Sequence, residues 1–144
     1  MNFTKDTFLK LPKADVHNHF HLGGTQKLLF DRYPDSTISF PKKYNGLTGM
    51  IDFIYGHLNK IMTTKEDVIN FMEMSIESSI QDNVTLLEAS VDVGLSRFFN
   101  DSIEHVIASQ LMIFRASVPG KRLTTRNSKY VLLFNSNDLL SLYC

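Results

Sequence analysis

Cysteine is nearly absent from this sequence, whose 144 residues contain one, Cys144. A single cysteine excludes an intramolecular disulfide and a cysteine-rich zinc site, and it favours a reducing compartment. Residues 1–13 lack the apolar stretch of a secretion signal, and no apolar run approaches the ~18 residues of a membrane span. We therefore expect a soluble, cytoplasmic protein that makes no membrane contact.

Net charge is also absent, because 15 acidic residues balance 15 basic ones. This balance gives no electrostatic reason to expect a nucleic-acid partner. The distribution is uneven: residues 1–114 hold 14 acidic and 10 basic side chains, whereas residues 115–144 hold one and five. We predict an organised part over 1–114 and an atypical tail of unassigned structure over 115–144.

Histidine is also scarce, yet three of the five histidines stand on alternate positions in DVHNHFHLGG, residues 15–24. Alternation is the side-chain period of a strand, so residues 14–22 are predicted to form one, with His17, His19 and His21 on one face. Two neighbouring imidazoles can bind one zinc ion. The alternative is that they are ordinary polar strand residues, since a lone His-x-His pair is a weak signal.

Residues 25–33 are predicted to form two helical turns before Pro34. Hydrophobic periodicity predicts a helix over 48–62 and a longer one after a capping box of Thr63 and Glu66. Residues 84–93 are predicted to form a second strand, and Asp101 with Glu104 to start another helix. The order β, α, α, β, α is typical of an α/β fold with parallel strands. Beyond Arg115 the periodicity stops, and Pro119–Gly120 is predicted to form a turn.

The stretch LPKADVHNHFHLGGT, residues 11–25, resembles the opening of the adenosine/AMP deaminase family. Members of that family begin with Leu-Pro-Lys, an acidic residue two positions on, and then His-x-His-Leu-Asp/Glu-Gly. Residues 82–93, DNVTLLEASVDV, are similar to the second strand of the family, Tyr-x-Glu-x-Arg, with Glu88 as the acid and Ser90 in place of the arginine. The resemblance covers about residues 8–112.

The resemblance implies the N-terminal part of a (β/α)8 TIM barrel of the metal-dependent hydrolase type. It also implies one zinc ion that activates water for attack at C6 of a purine, with release of ammonia. In the register fixed by the Leu-Pro-Lys leader, His17 and His19 would be zinc ligands, and His19 and His21 would contact the substrate. His21 occupies the position of an acidic residue that contacts ribose, which leaves open a purine nucleoside, a phosphorylated purine or a base-modified one. A second register would place the metal pair at His19 and His21.

Several parts expected of such an enzyme are missing from this sequence. A barrel of this type takes ~250 residues, and no histidine or glutamate follows residue 112. We therefore assign no catalytic residue and expect weak or absent zinc binding and no turnover from this chain alone. The alternative is a truncated or frame-shifted, non-catalytic fragment or interaction domain. In either case, an incomplete barrel is expected to self-associate through its exposed edges. A different hydrolase opening with His-x-His would not explain the leader.

Three further polar residues receive structural interpretations from the sequence. His57 and His105 fall on helices and are expected to be surface or packing residues. Glu88 is expected to be a buried charge near the end of its strand, with partners that the sequence does not identify.

Overall fold

Two strands, β1 (Lys13–His19) and β2 (Val84–Ser90), lie side by side and parallel. The computed structural model describes residues 4–117, 122–126 and 131–135. The helices of the described residues are α1 (Lys5–Lys10), α2 (Gln26–Arg32), α3 (Gly46–Phe53), α4 (Asn59–Ile61), α5 (Lys65–Gln81) and α6 (Ile103–Ser117). A π-helical segment, Ile54–Leu58, joins α3 to α4, and a 3₁₀ helix, Val93–Phe98, follows β2. None of these helices has the length and apolar character that a membrane crossing requires.

Two further strands, β3 (Arg122–Arg126) and β4 (Val131–Asn135), complete a sheet of order β1-β2-β4-β3. Strand β4 pairs antiparallel with both β2 and β3. The mixture of helices and strands is compatible with the predicted α/β class, while the barrel stays a prediction. The proposed turn at Pro119–Gly120 lies outside the described residues, as does Cys144.

The predicted helices exist, but two of them begin at different residues from those expected. The N-cap of α5 is Thr64, whose Oγ1 accepts a hydrogen bond of 3.1 Å from the Asp67 N–H. The Asp67 carboxylate accepts in return from the backbone N–H groups of Thr63 and Thr64, so the box is one residue later than the predicted Thr63–Glu66 pair. At α6, Ser102 caps the Glu104-containing first turn, because its Oγ accepts from the His105 N–H at 3.2 Å.

The helix predicted over 48–62 is a composite, since the π-helical segment interrupts it. Wider π-helical turns occur mostly as single turns inside α-helices, often at functional sites. His57 lies on this segment, is exposed, and stacks on Phe53 with ring centroids 5.1 Å apart. That contact fits the packing role expected of His57, and the segment itself borders the cavities described below.

Helix α5 supplies the largest share of the core. Its residues Val68 and Met72 are completely buried, and Ile76 is 2% exposed. The predicted apolar stripe extended to Ile80, but this residue is 47% exposed. At the C-terminal end of α5, the buried face therefore includes Ser79 in place of the predicted Ile80.

Candidate metal and substrate site

Asn18 anchors the last residues of β1 to helix α5. This amide is buried, accepts a hydrogen bond of 3.1 Å from Ser75 Oγ on α5, and donates one of 2.7 Å to Asp15 Oδ2. The other oxygen of Asp15 accepts from the His17 N–H at 3.2 Å. These bonds fix the backbone that carries His17 and His19.

Strand β1 is not a regular alternating strand. Its register against β2 shifts between Asp15 and Asn18, so that three steps along β1 match two along β2. Such a bulge changes the direction of the side chains that follow it. As a result, Val16 and His17 are both exposed, while Asn18 lies on the side of α5.

The structure brings the imidazoles of His17 and His19 together on the exposed side of β1. Their ring centroids are 5.3 Å apart and their planes meet at 73°. Two imidazoles on one tetrahedral zinc, with Zn–N bonds of ~2.0–2.1 Å, place their ring centres roughly 5 Å apart. The spacing of this pair is therefore suited to one metal ion.

His21 does not continue the row, contrary to the prediction of three imidazoles on one face. The strand ends at His19, and a turn follows in which the Leu22 N–H donates to the His19 carbonyl at 2.6 Å. Because of this turn, Phe20 and His21 are both buried, at 2% and 5% exposed. His21 therefore lies inside the protein beside the exposed pair.

Burial controls the protonation of His21. Desolvation lowers the pKa of its imidazole to about 4, opposed by the negative charge of Asp92 and assisted by His19 and Arg97. Its Nδ1 atom has no hydrogen-bond partner among the described residues. At neutral pH this side chain is thus an uncharged group with unused hydrogen-bonding capacity.

The two glycines after the motif are required by close packing. Neither of them has a positive φ, so the turn does not need a glycine for its backbone conformation. A Cβ atom at Gly23 would overlap Ser75 Oγ and lie 2.6 Å from Asn18 Oδ1. A Cβ at Gly24 would lie 2.9 Å from Met74 Cβ, so both glycines allow the loop to approach α5.

Two cavities of about 310 Å³ each meet at His19. The first, called here the inner cavity, has His19, His21, Asp92 and Arg97 among its polar lining residues. Its apolar walls come mainly from α3 and the π-helical segment, through Leu47, Met50, Ile51, Ile54 and Tyr55. The second cavity reaches His17 and is bounded by Phe40, Tyr44 and Phe53.

Strand β2 contributes polar residues to the same side of the sheet. Leu87 and Ala89 are buried, so the alternating Glu88 and Ser90 lie on the opposite side, and Ser90 is the Cα partner of His19. We call the side of Leu87 and Ala89 the closed face and the side of Glu88 and Ser90 the open face. Glu88 is half-buried, with no hydrogen bond or ion pair to the part of the chain described here.

Sequence reasoning missed Asp92 and Arg97, which the 3₁₀ helix after β2 brings to the inner cavity. Asp92 caps this helix, and its Oδ1 accepts a hydrogen bond of 2.8 Å from the Gly94 N–H. The Arg97 guanidinium lies 4.7 Å from the centroid of Phe98. An aspartate followed two residues later by a glycine was a signal for such a turn.

Within residues 4–117, no three histidine, cysteine, aspartate or glutamate side chains group closely enough to hold a metal ion. The described part therefore offers a pair of imidazoles, His17 and His19, rather than a complete set of ligands. His105 is exposed on α6, as the sequence predicted for a surface residue.

One curated protein gives a direct comparison. The chain is 35% identical over 100 residues to a protein of Treponema pallidum (strain Nichols) named "Putative adenosine/adenine deaminase". The match includes 67% of this chain but 32% of that protein, so the chain spans about a third of the relative's length. No protein-family model and no solved structure matches the chain. The similarity supports a deaminase-like relationship for this part of the molecule.

Proposed function

We propose that this chain forms the N-terminal part of a zinc-dependent purine deaminase, in which β1 supplies two metal ligands and part of the substrate cavity. The observation that carries the proposal is the juxtaposition of the His17 and His19 imidazoles, 5.3 Å apart, beside the inner cavity. The similarity to the Treponema protein supports the same chemistry. The proposal includes the (β/α)8 barrel that the resemblance implies.

The donor set fits zinc as far as the described residues extend. Neutral imidazole nitrogen is a preferred zinc ligand, and catalytic zinc sites use three protein ligands and leave one position open. Zinc in such a site supplies a hydroxide nucleophile at neutral pH, because it lowers the pKa of a coordinated water to ~7. His17 and His19 would hold the ion, and at least one further ligand has to come from outside this pair.

The size and lining of the inner cavity are suited to a small aromatic substrate. Its volume lies at the lower end of the ~300–1,000 Å³ found for small-molecule sites. Its walls are mostly apolar, and its polar lining includes His19, His21, Asp92 and Arg97. A purine ring placed against the apolar walls would present a polar edge to these residues.

A second candidate function is a non-catalytic interaction domain. The observation in its favour is the antiparallel pairing of β4 with β2, because a (β/α)8 barrel places a parallel strand at that edge. In this alternative, strand β4 covers an edge of β2 that would otherwise be available for self-association.

The two functions are distinguished by the ammonia released from adenosine, adenine and AMP by the purified chain after loading with zinc. A variant carrying both His17→Ala and His19→Ala is the matched control. If the chain is catalytically active by itself, ammonia release should depend on zinc and on both histidines. Zinc binding that requires both histidines, without turnover, supports a deaminase part that lacks later catalytic residues. Zinc binding that is unchanged in the control overturns the proposed metal site.

A further inference from the structure

We infer that two copies of this chain share one zinc ion, to which each copy contributes the imidazoles of His17 and His19, so that the metal holds the chain as a symmetric dimer. The inference goes beyond the proposed function, because it concerns the assembly of the chain and not its chemistry. It is carried by an exposed pair of ligands that is incomplete within one copy.

The pair supplies half of a tetrahedral zinc site. The ring centroids of His17 and His19 are 5.3 Å apart, which suits two ligands on one ion. Structural zinc sites almost always have four protein ligands. Among the residues that the structure describes, no third histidine, cysteine, aspartate or glutamate groups with the pair. A zinc ion held by these two imidazoles therefore has two positions left for ligands from another source.

Both imidazoles are accessible to a second molecule. His17 and His19 are exposed, and the hydrogen bond from His17 to Asp15 uses the backbone N–H, so the ring nitrogens of His17 stay available. Strand β1 stands at the end of the sheet order β1-β2-β4-β3, and of the described strands β2 alone pairs with it. No described strand therefore lies along the other edge of β1, and a neighbouring molecule can approach the pair there.

A second copy of the chain supplies the missing ligands in the required number. A two-fold axis through the metal brings the same two imidazoles from each molecule, which gives four nitrogen ligands. The 15 acidic and 15 basic residues of each chain balance, so two copies approach without repulsion between net charges. Four protein ligands leave no open position for water, and the bridge is therefore a structural zinc site.

His21 does not take part in the bridge, although it belongs to the same run of histidines. Its side chain is 5% exposed, so a neighbouring molecule cannot share a metal ion with it. The bridge therefore depends on the two exposed histidines of β1, and this dependence can be tested against an exposed histidine elsewhere, such as His105 on α6.

The test measures the mass of the full chain by sedimentation equilibrium at pH 7.5, with one zinc ion added per two chains and with EDTA. We expect twice the 16.5 kDa of one chain with zinc and the mass of one chain with EDTA. Excess zinc should dissociate the dimer, because each copy then holds its own ion. His17→Ala and His19→Ala should each weaken the zinc-dependent dimer by at least about tenfold, since each removes two of its four ligands. His105→Ala should leave it unchanged.

The contradicting results differ according to which claim fails. Zinc bound as one ion per chain, with no change of mass, would overturn the bridge and leave the metal pair of the proposed function in place. A dimer that persists in EDTA, or undiminished in both His17→Ala and His19→Ala, would overturn the bridge in favour of association through sheet edges. An absence of zinc binding would also overturn the bridge, whereas the proposed function would then require its further ligand before the metal binds.

Discussion

The two faces of the β1–β2 pair differ in what covers them. On the closed face, Leu87 and Ala89 are buried and Asn18 is hydrogen-bonded to Ser75 of α5. On the open face, His17 and His19 are exposed, and two cavities adjoin them. The closed face therefore uses its residues for packing, whereas the polar groups of the open face are not used for packing.

The largest expected effect compares two methionines, one behind the sheet and one at the cavities. Met72 is completely buried on α5, whereas Met50 is 38% exposed and borders both cavities. Met72→Ala should lower the free energy of unfolding by about 2–5 kcal/mol, because it leaves a cavity in the core. Met50→Ala should lower it by less than about 1 kcal/mol, since a half-exposed site loses little packing. Urea unfolding measures both, and similar losses would contradict the distinction between the faces.

The closed face follows from the sequence more completely than the open one. The spacing of Met72 and Ile76 predicted the buried stripe of α5, because helical periodicity is a local property. The proximity of His17 and His19 on one face of β1 was also expected. The position of His21 was not, because the turn after His19 depends on the Leu22 N–H bond and on the close approach of Gly23 to α5.

Neither the bulge in β1 nor the position of Asp92 at the inner cavity could be predicted from local sequence. A register shift between β1 and β2 is a property of the strand pair, so alternation within β1 could not reveal it. Asp92 reaches the cavity because the 3₁₀ helix after β2 folds beside His21, a contact between residues distant in sequence. Long-range packing, and not local propensity, thus brings Asp92 and His21 to the same cavity.

A second prediction concerns pH and the buried imidazole. The pKa of His21 is about 4 in the folded chain and 6.5 as the ordinary value, so between these pH values the unfolded chain binds more protons. The stabilising effect is fully present above pH 6.5 and is lost as the pH falls through about 4. The loss amounts to up to about 3 kcal/mol at 1.36 kcal/mol per pKa unit.

Urea unfolding of the metal-free chain at pH 7.5, 5.5 and 4 checks this pH dependence. In the wild-type chain, the free energy of unfolding should be lower at pH 4 than at pH 7.5. The variant His21→Asn lacks the imidazole and should show most of this difference removed. His105→Asn, at an exposed histidine on α6, should retain the wild-type dependence. A wild-type slope that persists in His21→Asn would show that other groups govern the acid sensitivity.

Zinc binding by the open face tests the central claim most directly. The dissociation constant for zinc is measured by competition with a chromophoric chelator, for the wild-type chain and for His17→Ala, His19→Ala and His57→Ala. We predict that each of the first two weakens binding by at least about tenfold, since each removes one of two neighbouring ligands, while unfolding free energies change by less than about 0.5 kcal/mol at these exposed positions. His57→Ala, which removes an exposed imidazole elsewhere, should leave the constant unchanged. Measurable zinc binding of the same strength in all four proteins would contradict the assignment of His17 and His19 as metal ligands.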